Sequence, residues 1–390
     1  MSKCKASSHY VPRLVLRKFS DNLCIYNVRT GILQENIAPE HAFENTELYD
    51  DETERNLNIK IESQFGNLLS NVILKEKDII SLSRKQLLQV KKFLLISTLR
   101  TMQNEDLLQF ERQNKNLFDY PFEEKNIEGE TPFKYWMRTL NVILESDGTP
   151  LSVSKHPNAT FAAYRWANVI NSGYVAFWDA PEGGDEFLIT DIGMTSENEK
   201  GWDGHYVHND RKLSCLKFLL GCCTNEIEKN KINRFIYNTC SFSENFMMFP
   251  ISAKRMIVLI CPFYKFRYFC KQSGLNIISL DDLTVIPNER LYEPNRNYYE
   301  MTQRSRNTLQ FHENDRYIYD IKKLSCDEIR YCNALFMDRI DTFLGFSSLD
   351  NAVSSIINYK KLNDPHYVPR VDYKELYKII ENRYLGNLNI

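Results

Sequence analysis

The sequence lacks the signatures of several common protein classes. None of its 10 cysteines forms a Cys-x-x-Cys pair, which argues against a zinc ribbon or a thioredoxin-type redox motif. Its longest apolar runs, such as MIVLIC at 256–261, are too short to span a bilayer, and its first residues carry no apolar stretch of the kind a signal peptide needs. We therefore expect a cytoplasmic protein with free thiols and no membrane partner.

The net charge is close to zero, and Gly and Pro residues are few. The formal net charge is −2, so the chain as a whole does not attract nucleic acid, and any nucleic-acid site must be a local basic groove. Only 14 Gly and 13 Pro occur among 390 residues, which argues against long disordered linkers. The absence of GxGxxG, GxxxxGK[ST], GxSxG and HExxH motifs disfavours P-loop nucleotide hydrolysis, α/β-hydrolase chemistry and zincin proteolysis.

The first part of the chain predicts a hairpin followed by helices. β-Branched and aromatic residues flank a glycine-containing turn and indicate an N-terminal hairpin over 23–37. Apolar residues then recur at helical spacing, which predicts a helical layer from residues 53–112 and 131–170. Within it, Ser83 and Gln86 have the spacing of a capping box.

The second part of the chain changes to strand-like patterns. Residues 173–181 and 186–193 predict a second hairpin around a GGD turn, and a helix is expected over 325–346, opening on a capping pattern of Ser325 and Glu328. Further elements are expected as strands at 246–252 and 255–263 and as a short helix at 372–384.

This order of elements predicts an α+β fold, because the strict strand–helix alternation of a doubly wound sheet is absent. We expect a mixed or antiparallel central sheet with an N-terminal hairpin, packed on a layer of long helices. Four regions follow from the pattern, namely an N-terminal hairpin segment at 1–52, a helical region at 53–172, a sheet-containing region with a closing helix at 173–350, and a C-terminal tail with a short helix at 351–390.

One segment is specific enough to suggest a family. HYVPRLVLRKFSDN begins at His9 and continues into the strand LCIYNV and the turn RTG. This opening resembles that of the bacterial proteins of domain of unknown function family 4238. Similar landmarks follow at IESQFGNLL (61–69), LLISTLRTM (94–102), DEFLITDIG (185–193), MMFPIS (247–252) and YCNALFMDRIDTFLGFSS (331–348).

The resemblance covers roughly residues 9–350 and implies no settled activity. Members often look like accessory genes of mobile elements or of antiviral defence. The segment ITDIG departs from the family's usual Ser-Asp-Asn-Pro, which weakens any role assigned to that loop. A second HYVPR at 366–370 lies beyond the resemblance and runs into a polar helix, so we interpret His366 as a surface residue.

The opening motif contains groups suited to phosphate chemistry. His9, Tyr10, Arg13 and Arg17 lie close together, and in an extended segment His9 and Arg13 would share a face. A histidine can act as a general base near neutral pH, and guanidinium groups bind phosphate through paired donors. The alternative is that His9 and Arg13 are structural and hold the N-terminal strand to the helices.

Two helices each carry one conspicuous charge. Arg100 follows the apolar stretch LLIST, and a buried guanidinium needs a carboxylate partner, for which Glu62 and Asp191 are the candidates. The structural interpretation is an ion pair that joins the helices. In the functional interpretation Glu62 and Asp191 share a divalent cation, so Mg²⁺ is the candidate cofactor. The sequence shows no third acidic ligand at a spacing that is typical of a metal site.

The stretch FYKFRYFCK (263–271) alternates aromatic and basic residues. Such a pattern suits single-stranded nucleic acid, because bases stack on rings while cations follow the phosphates. Tyr264 and Arg267 are the candidate contacts. An edge strand with aromatic residues inside and basic residues outside explains the same pattern.

Two classes of function remain open. The first is a nuclease-like bacterial toxin or antiviral effector that cleaves RNA or DNA phosphodiesters and is held inactive by an antitoxin-like partner. The second is a non-catalytic sensor or binding protein of a defence or mobile-element system that recognises a protein or a small ligand. The residues assigned to the first are His9, Tyr10, Arg13, Glu62, Arg100 and Asp191 for catalysis and Arg17, Tyr264 and Arg267 for substrate binding.

Overall fold

The computed structural model describes residues 8–9, 11–45, 51–100, 120–197, 246–260, 290–292, 316–361 and 371–385. Within these ranges it contains antiparallel and mixed sheets together with helices, which confirms the α+β class. A search of the same ranges finds no helix with the length and apolarity needed to cross a membrane.

The strands vary from two to six residues. In chain order they are β1 (Ser8–His9), β2 (Leu23–Asn27), β3 (Ile32–Ile37), β4 (Glu44–Asn45), β5 (Ile79–Ser83), β6 (Tyr174–Asp179), β7 (Ile189–Thr190), β8 (Thr195–Glu197), β9 (Phe246–Pro250), β10 (Arg255–Ile260), β11 (Arg290–Tyr292), β12 (Arg316–Asp320), β13 (Lys322–Lys323) and β14 (Phe343–Phe346).

The helices include three π-helical turns, labelled π1 to π3. In chain order they are α1 (Arg13–Leu16), α2 (Asp51–Leu57), π1 (Asn58–Glu62), α3 (Ser63–Leu68), π2 (Leu69–Ile73), α4 (Arg84–Arg100), α5 (Pro132–Glu145), α6 (Pro150–Ser154), α7 (Phe161–Ser172), α8 (Cys326–Asp338), α9 (Leu349–Lys361), α10 (Lys374–Ile380) and π3 (Glu381–Leu385).

A five-stranded sheet in the order β13-β6-β10-β9-β8 forms the centre of the fold, and it is mixed because β13 runs parallel to β6. Side chains alternate between its two faces, as the period of a strand requires. Phe177 and Ile257 face the main core, which also takes in α4, α5 and α7. Trp178 and Val258 face the other side and pack on α8. The sheet therefore has helices on both faces.

A second sheet, in the order β3-β2-β14-β7, joins both ends of the chain. Its strand β14 is antiparallel to β2 on one side and to β7 on the other, so Gly345 lies opposite both Ile25 and Ile189. Helices α9 and α10 cover one face of it through a buried cluster that includes Tyr26 and Tyr373. Smaller sheets are β11-β12-β5 and β1-β4.

Two adjacent lysines of α4 tie the helical layer together. Lys91 Nζ donates to the carbonyl oxygens of Asn171 and Gly173 at 2.8 and 2.9 Å, at the end of α7. Lys92 Nζ donates to the carbonyl oxygen of Ser146 at 2.6 Å, just beyond α5. The last carbonyls of a helix have no partner inside it, and a cation near them is favourable. Each lysine therefore caps a different neighbouring helix.

Several local predictions are confirmed. The N-terminal hairpin is β2-β3, and β9-β10 is the strand pair expected near 246–263. Ser83 and Gln86 bond reciprocally ahead of α4, and Ser325 with Glu328 forms a complete capping box on α8. The central sheet and its helical layer also agree with expectation, except that residues 101–112 of the predicted layer lie outside the described residues.

The predicted second hairpin is wrong, because β6 and β7 belong to different sheets. The segment between them is anchored elsewhere. The Phe187 amide donates to the carbonyl oxygen of Ala253 at 2.9 Å, and the Leu188 amide donates to Asn333 Oδ1 at 2.9 Å. These bonds direct the chain away from β6 before β7 begins.

The helix expected over 325–346 is also partly wrong. It ends at Asp338, and residues 343–346 form β14. Leu344 and Phe346 are buried there, so pairing on both edges of β14 overrides any local helical preference. The four regions proposed from sequence stay a prediction, although β2 and β14, from different regions, share a sheet.

Gly345 provides a test of the close packing around β14. A Cβ at this position would lie 2.8 Å from Phe43 Cζ and 3.1 Å from Ile189 Cγ2. We expect Gly345→Ala to destabilise the fold by about 1–3 kcal/mol through overpacking, measured by urea unfolding. Gly66→Ala in α3, where a Cβ would meet nothing within 4 Å, is the control and should stabilise by up to about 1 kcal/mol. Equal effects of the two variants would contradict the packing argument.

Candidate functional site

The HYVPR motif changes conformation in its middle. His9 lies in β1, paired with Glu44 of β4, and Pro12, whose ψ is 134°, immediately precedes a helix. Helix α1 then begins at Arg13. Proline favours this arrangement because its fixed φ fits a helix start and it lacks the N–H that would be unpaired there. The condition under which His9 and Arg13 would share a face, an extended chain, ends at Pro12, because Arg13 begins α1 and Arg17 caps its end.

Both arginines of the motif lie near one acidic residue. Arg17 donates to Glu40 Oε1 from Nε at 3.0 Å and from Nη2 at 2.6 Å. This hydrogen bonding lowers the pKa of Glu40, and the charge of Arg13 acts in the same direction. The side chains of Arg17 and Glu40 are 57% and 40% exposed. Arg17, a candidate for substrate binding, is thus engaged in a surface ion pair.

Arg100 and Glu62 form the ion pair that the sequence suggests. Arg100 Nη2 donates to Glu62 Oε1, and the two side chains are 2% and 17% exposed. Arg100 is the last residue of α4, and Glu62 ends π1. The pair joins two helical segments of the core, so its geometry supports the structural interpretation.

Asp191 binds backbone amides instead of Arg100. Its Oδ2 accepts the N–H groups of Thr342 at 2.8 Å and Phe343 at 3.1 Å, and its Oδ1 accepts that of Asp341 at 3.3 Å. Burial raises the pKa of Asp191 to about 6, although these three N–H groups oppose the shift. The side chain therefore clamps the segment that leads into β14.

Asp185 and Glu186 lie in another polar cluster. Arg330 Nε donates to Asp185 Oδ2 at 2.8 Å, and the Ser354 hydroxyl donates to Asp185 Oδ1. Glu186 accepts the hydroxyl of Ser347. These contacts fasten the 185–188 segment to α8 and to the start of α9.

Sequence reasoning missed two residues that organise the same region. Asn333 of α8 is fully buried, and its Nδ2 donates to the carbonyl oxygen of Glu186 at 2.7 Å. Ser252 Oγ accepts the amide of Arg255 at 2.8 Å and closes the β9-β10 turn. The sequence contains a signal for both residues, because each is a polar residue beside apolar neighbours in a segment that resembles the family.

Four family-like segments meet at one pocket, which we call the motif pocket. Ser97 is the one polar side chain among its described lining residues, and the cavity has a volume of only about 10 Å³, room for roughly one water molecule. The lining residues come from the HYVPR segment, α4, the loop after β7 and the end of β9, and they are Val11, Pro12, Val15, Phe93, Ser97, Ile192, Gly193, Phe249, Pro250 and Ile251.

Gly193 sets how closely the walls of the motif pocket approach. Its φ is +68°, and a Cβ there would lie 3.0 Å from Val11 Cγ2. Its amide donates to the carbonyl oxygen of Thr190 at 2.8 Å, which closes a tight turn around Asp191. Only glycine combines this backbone conformation with such a close approach at low cost.

The other candidate residues either serve structural contacts or lie outside the described residues. Arg100 and Asp191 flank the motif pocket in sequence, one turn beyond Ser97 and one residue before Ile192, but their side chains serve the contacts described above. No group of three or more His, Cys, Asp or Glu side chains suited to a metal occurs among the residues that the structure describes. Tyr10, Tyr264 and Arg267, with the second HYVPR, lie outside the described residues.

Comparison with known proteins agrees with this convergence of motifs. Residues 8–339 match the family described as protein of unknown function DUF4238. The chain belongs to the DUF4238 family. No curated protein and no solved structure matches it. The DUF4238 match includes every segment that lines the motif pocket and ends just before β14.

The buried pair offers a direct test of the structural interpretation. We expect Arg100→Met to destabilise the protein by about 3–5 kcal/mol, because it leaves the Glu62 carboxylate with an uncompensated charge. The double variant Arg100→Met, Glu62→Leu should recover much of that loss. Arg17→Met, which breaks an exposed pair, is the control and should cost less than about 1 kcal/mol. Denaturant unfolding measures all three, and a double variant no more stable than Arg100→Met would contradict this account.

Proposed function

We propose that this DUF4238 protein is a non-catalytic binding protein of a defence or mobile-element system, with the motif pocket as its recognition site. The observation that carries the proposal is the meeting of four distant family-like segments at an apolar pocket. The charged candidates Arg100, Glu62 and Asp191 are instead used to hold the fold together. A site that is formed by family-like segments and lined by apolar groups supports binding of a partner more than it supports catalysis.

The size of the motif pocket favours a protein partner over a small ligand. Pockets that enclose drug-sized molecules measure roughly 300–1,000 Å³, far above the 10 Å³ found here. A nucleobase is also too large for this cavity. A small apolar side chain that anchors a larger contact surface needs much less room, and such anchors supply most of the binding energy of many protein interfaces. We therefore infer a partner protein that inserts a small apolar group.

Partner capture with matched variants tests this proposal. Ser97→Leu should obstruct the motif pocket, whereas Ser70→Leu makes the same change at an exposed position. We expect proteins cross-linked to the wild-type chain in native cells to be retained by Ser70→Leu and reduced at least about tenfold with Ser97→Leu, a loss of about 1.4 kcal/mol. Circular dichroism checks that both variants fold. Identical captured proteins for all three chains would contradict the proposal.

The nuclease-like effector is the second candidate. One observation favours it, because β1 places His9 two residues before Val11, a wall of the motif pocket, while Arg13 begins α1 and Arg17 caps its end. In this alternative His9 is the general acid or base and Arg13 binds phosphate. A divalent cation such as Mg²⁺ would have to use residues other than the Asp191 carboxylate, which already accepts three amides.

Expression of the wild type beside His9→Ala separates the two candidates. A nuclease should degrade cellular RNA or plasmid DNA, and loss of a general acid or base should slow cleavage by about 10²–10⁴-fold. Repeating the assay on purified protein with Mg²⁺ or with EDTA tests the cation. Intact RNA and plasmid with every chain, under conditions where the protein is folded, would remove the nuclease candidate and leave the binding proposal.

A further inference from the structure

Asp191 connects two parts of the chain that are far apart in sequence. Its carboxylate accepts the amides of residues 341–343, which lead into β14. The next residues, Ile192 and Gly193, form one wall of the motif pocket. The Asp191 amide also donates to the carbonyl oxygen of Phe343 at 3.0 Å, so backbone and side chain hold the same segment. Any change in this clamp acts on the wall directly.

We propose that Asp191 is a proton-operated latch that positions the 192–193 wall of the motif pocket. When ionised, Asp191 holds the wall against residues 341–343, and when protonated it releases part of that hold. The inference concerns the conformation of the pocket and goes beyond the proposed function, because it stands whether or not a partner binds there.

The two carboxylate oxygens are not equivalent. Oδ2 accepts the two shorter bonds, from Thr342 and Phe343, while Oδ1 accepts only the 3.3 Å bond from Asp341. Oδ1, which holds only this weakest bond, is the oxygen that takes up a proton at the least cost in hydrogen bonding. The new O–H is a donor close to the Asp341 N–H, and the protonated carboxyl has less acceptor capacity for that amide. Protonation thus loosens the clamp at its Asp341 end.

Burial and one neighbouring charge favour the protonated form of Asp191. Burial raises the pKa of Asp191 to about 6, and the negative charge of Asp341 acts in the same direction. Asp341 is itself paired with Arg29 of the β2-β3 turn, with Arg29 Nη2 2.7 Å from Asp341 Oδ1. No ion pair to the Asp191 carboxylate occurs in the described part of the chain. Its charge is therefore stabilised by backbone amides, and those amides belong to the 341–343 segment that leads into β14.

A small movement of the 192–193 wall changes its contact with the opposite wall of the motif pocket, at Val11. A Cβ on Gly193 would lie 3.0 Å from Val11 Cγ2, so the two walls are nearly in contact. A shift of a few tenths of an ångström in 192–193 changes the contact with Val11. Because the cavity has a volume of only about 10 Å³, even such a shift changes the contacts within it.

Nuclear magnetic resonance of the full chain tests the latch. The side-chain carboxyl signal of Asp191 and the methyl signals of Val11 and Ile192 are followed between about pH 5 and 7.5, a range that brackets the perturbed carboxyl group. We expect all three to change with one midpoint. Ile170, buried in α7, is the control methyl and should not follow that midpoint. Movement of the carboxyl signal alone, with stationary Val11 and Ile192 methyls, would overturn the latch.

Two variants assign the transition to its residue. Asp191→Asn should abolish the methyl transition. His9→Gln, which removes the ionisable group two residues before Val11, should retain it, because the proposal assigns the transition to Asp191. A transition that persists in Asp191→Asn, or that disappears in His9→Gln, contradicts the proposal. If Asp191→Asn does not fold, the wild-type carboxyl signal and His9→Gln decide together. The partner-capture assay is carried out separately at neutral pH, so its failure leaves this result unaffected.

Discussion

The pairing of β14 on both edges is the constraint on which the rest of the structure depends. One edge binds the N-terminal hairpin through β2, and the other binds β7 and its Asp191 turn. Asp191 completes the arrangement by accepting the amides that precede β14. The DUF4238 match ends at residue 339, yet the motif pocket takes one wall from a loop that β14 holds. Residues 341–346, which lie beyond the matched range, thus pack directly on segments inside it.

Buried charges among the described residues hold neighbouring elements of the fold together. Arg255 pairs with Asp179 and also donates to the carbonyl oxygen of Glu76 at 2.7 Å, and Arg100 pairs with Glu62. Burying charge is costly unless partners compensate it, so each of these groups is held in one arrangement. The motif pocket, where the family-like segments meet, presents an apolar surface with one hydroxyl group, that of Ser97. This division favours recognition as the function of the site.

The sequence predicts elements well where the signal is local. The hairpin around the turn at 29–31 and both capping boxes follow from neighbouring residues, and so does the Arg100–Glu62 pair once burial of the helix face is assumed. Prediction from the sequence fails where distant segments compete to pair with the same segment. The 186–193 segment leaves its expected partner because Ala253 and Asn333 bind it, and Asp191 prefers backbone amides that only the folded chain supplies. The motif pocket could not be predicted, because four separate segments must meet to form it.

The adjacent lysines of α4 limit how the protein can change shape. Lys91 and Lys92 hold the ends of α7 and of α5 at the same level of α4. These bonds couple α4 to the ends of both neighbours, so a displacement of α4 along its axis either strains two sets of hydrogen bonds or carries those helix ends with it. A change that enters α4 near Ser97 is therefore passed to the ends of α5 and α7 as well as to the loops that contact the helix.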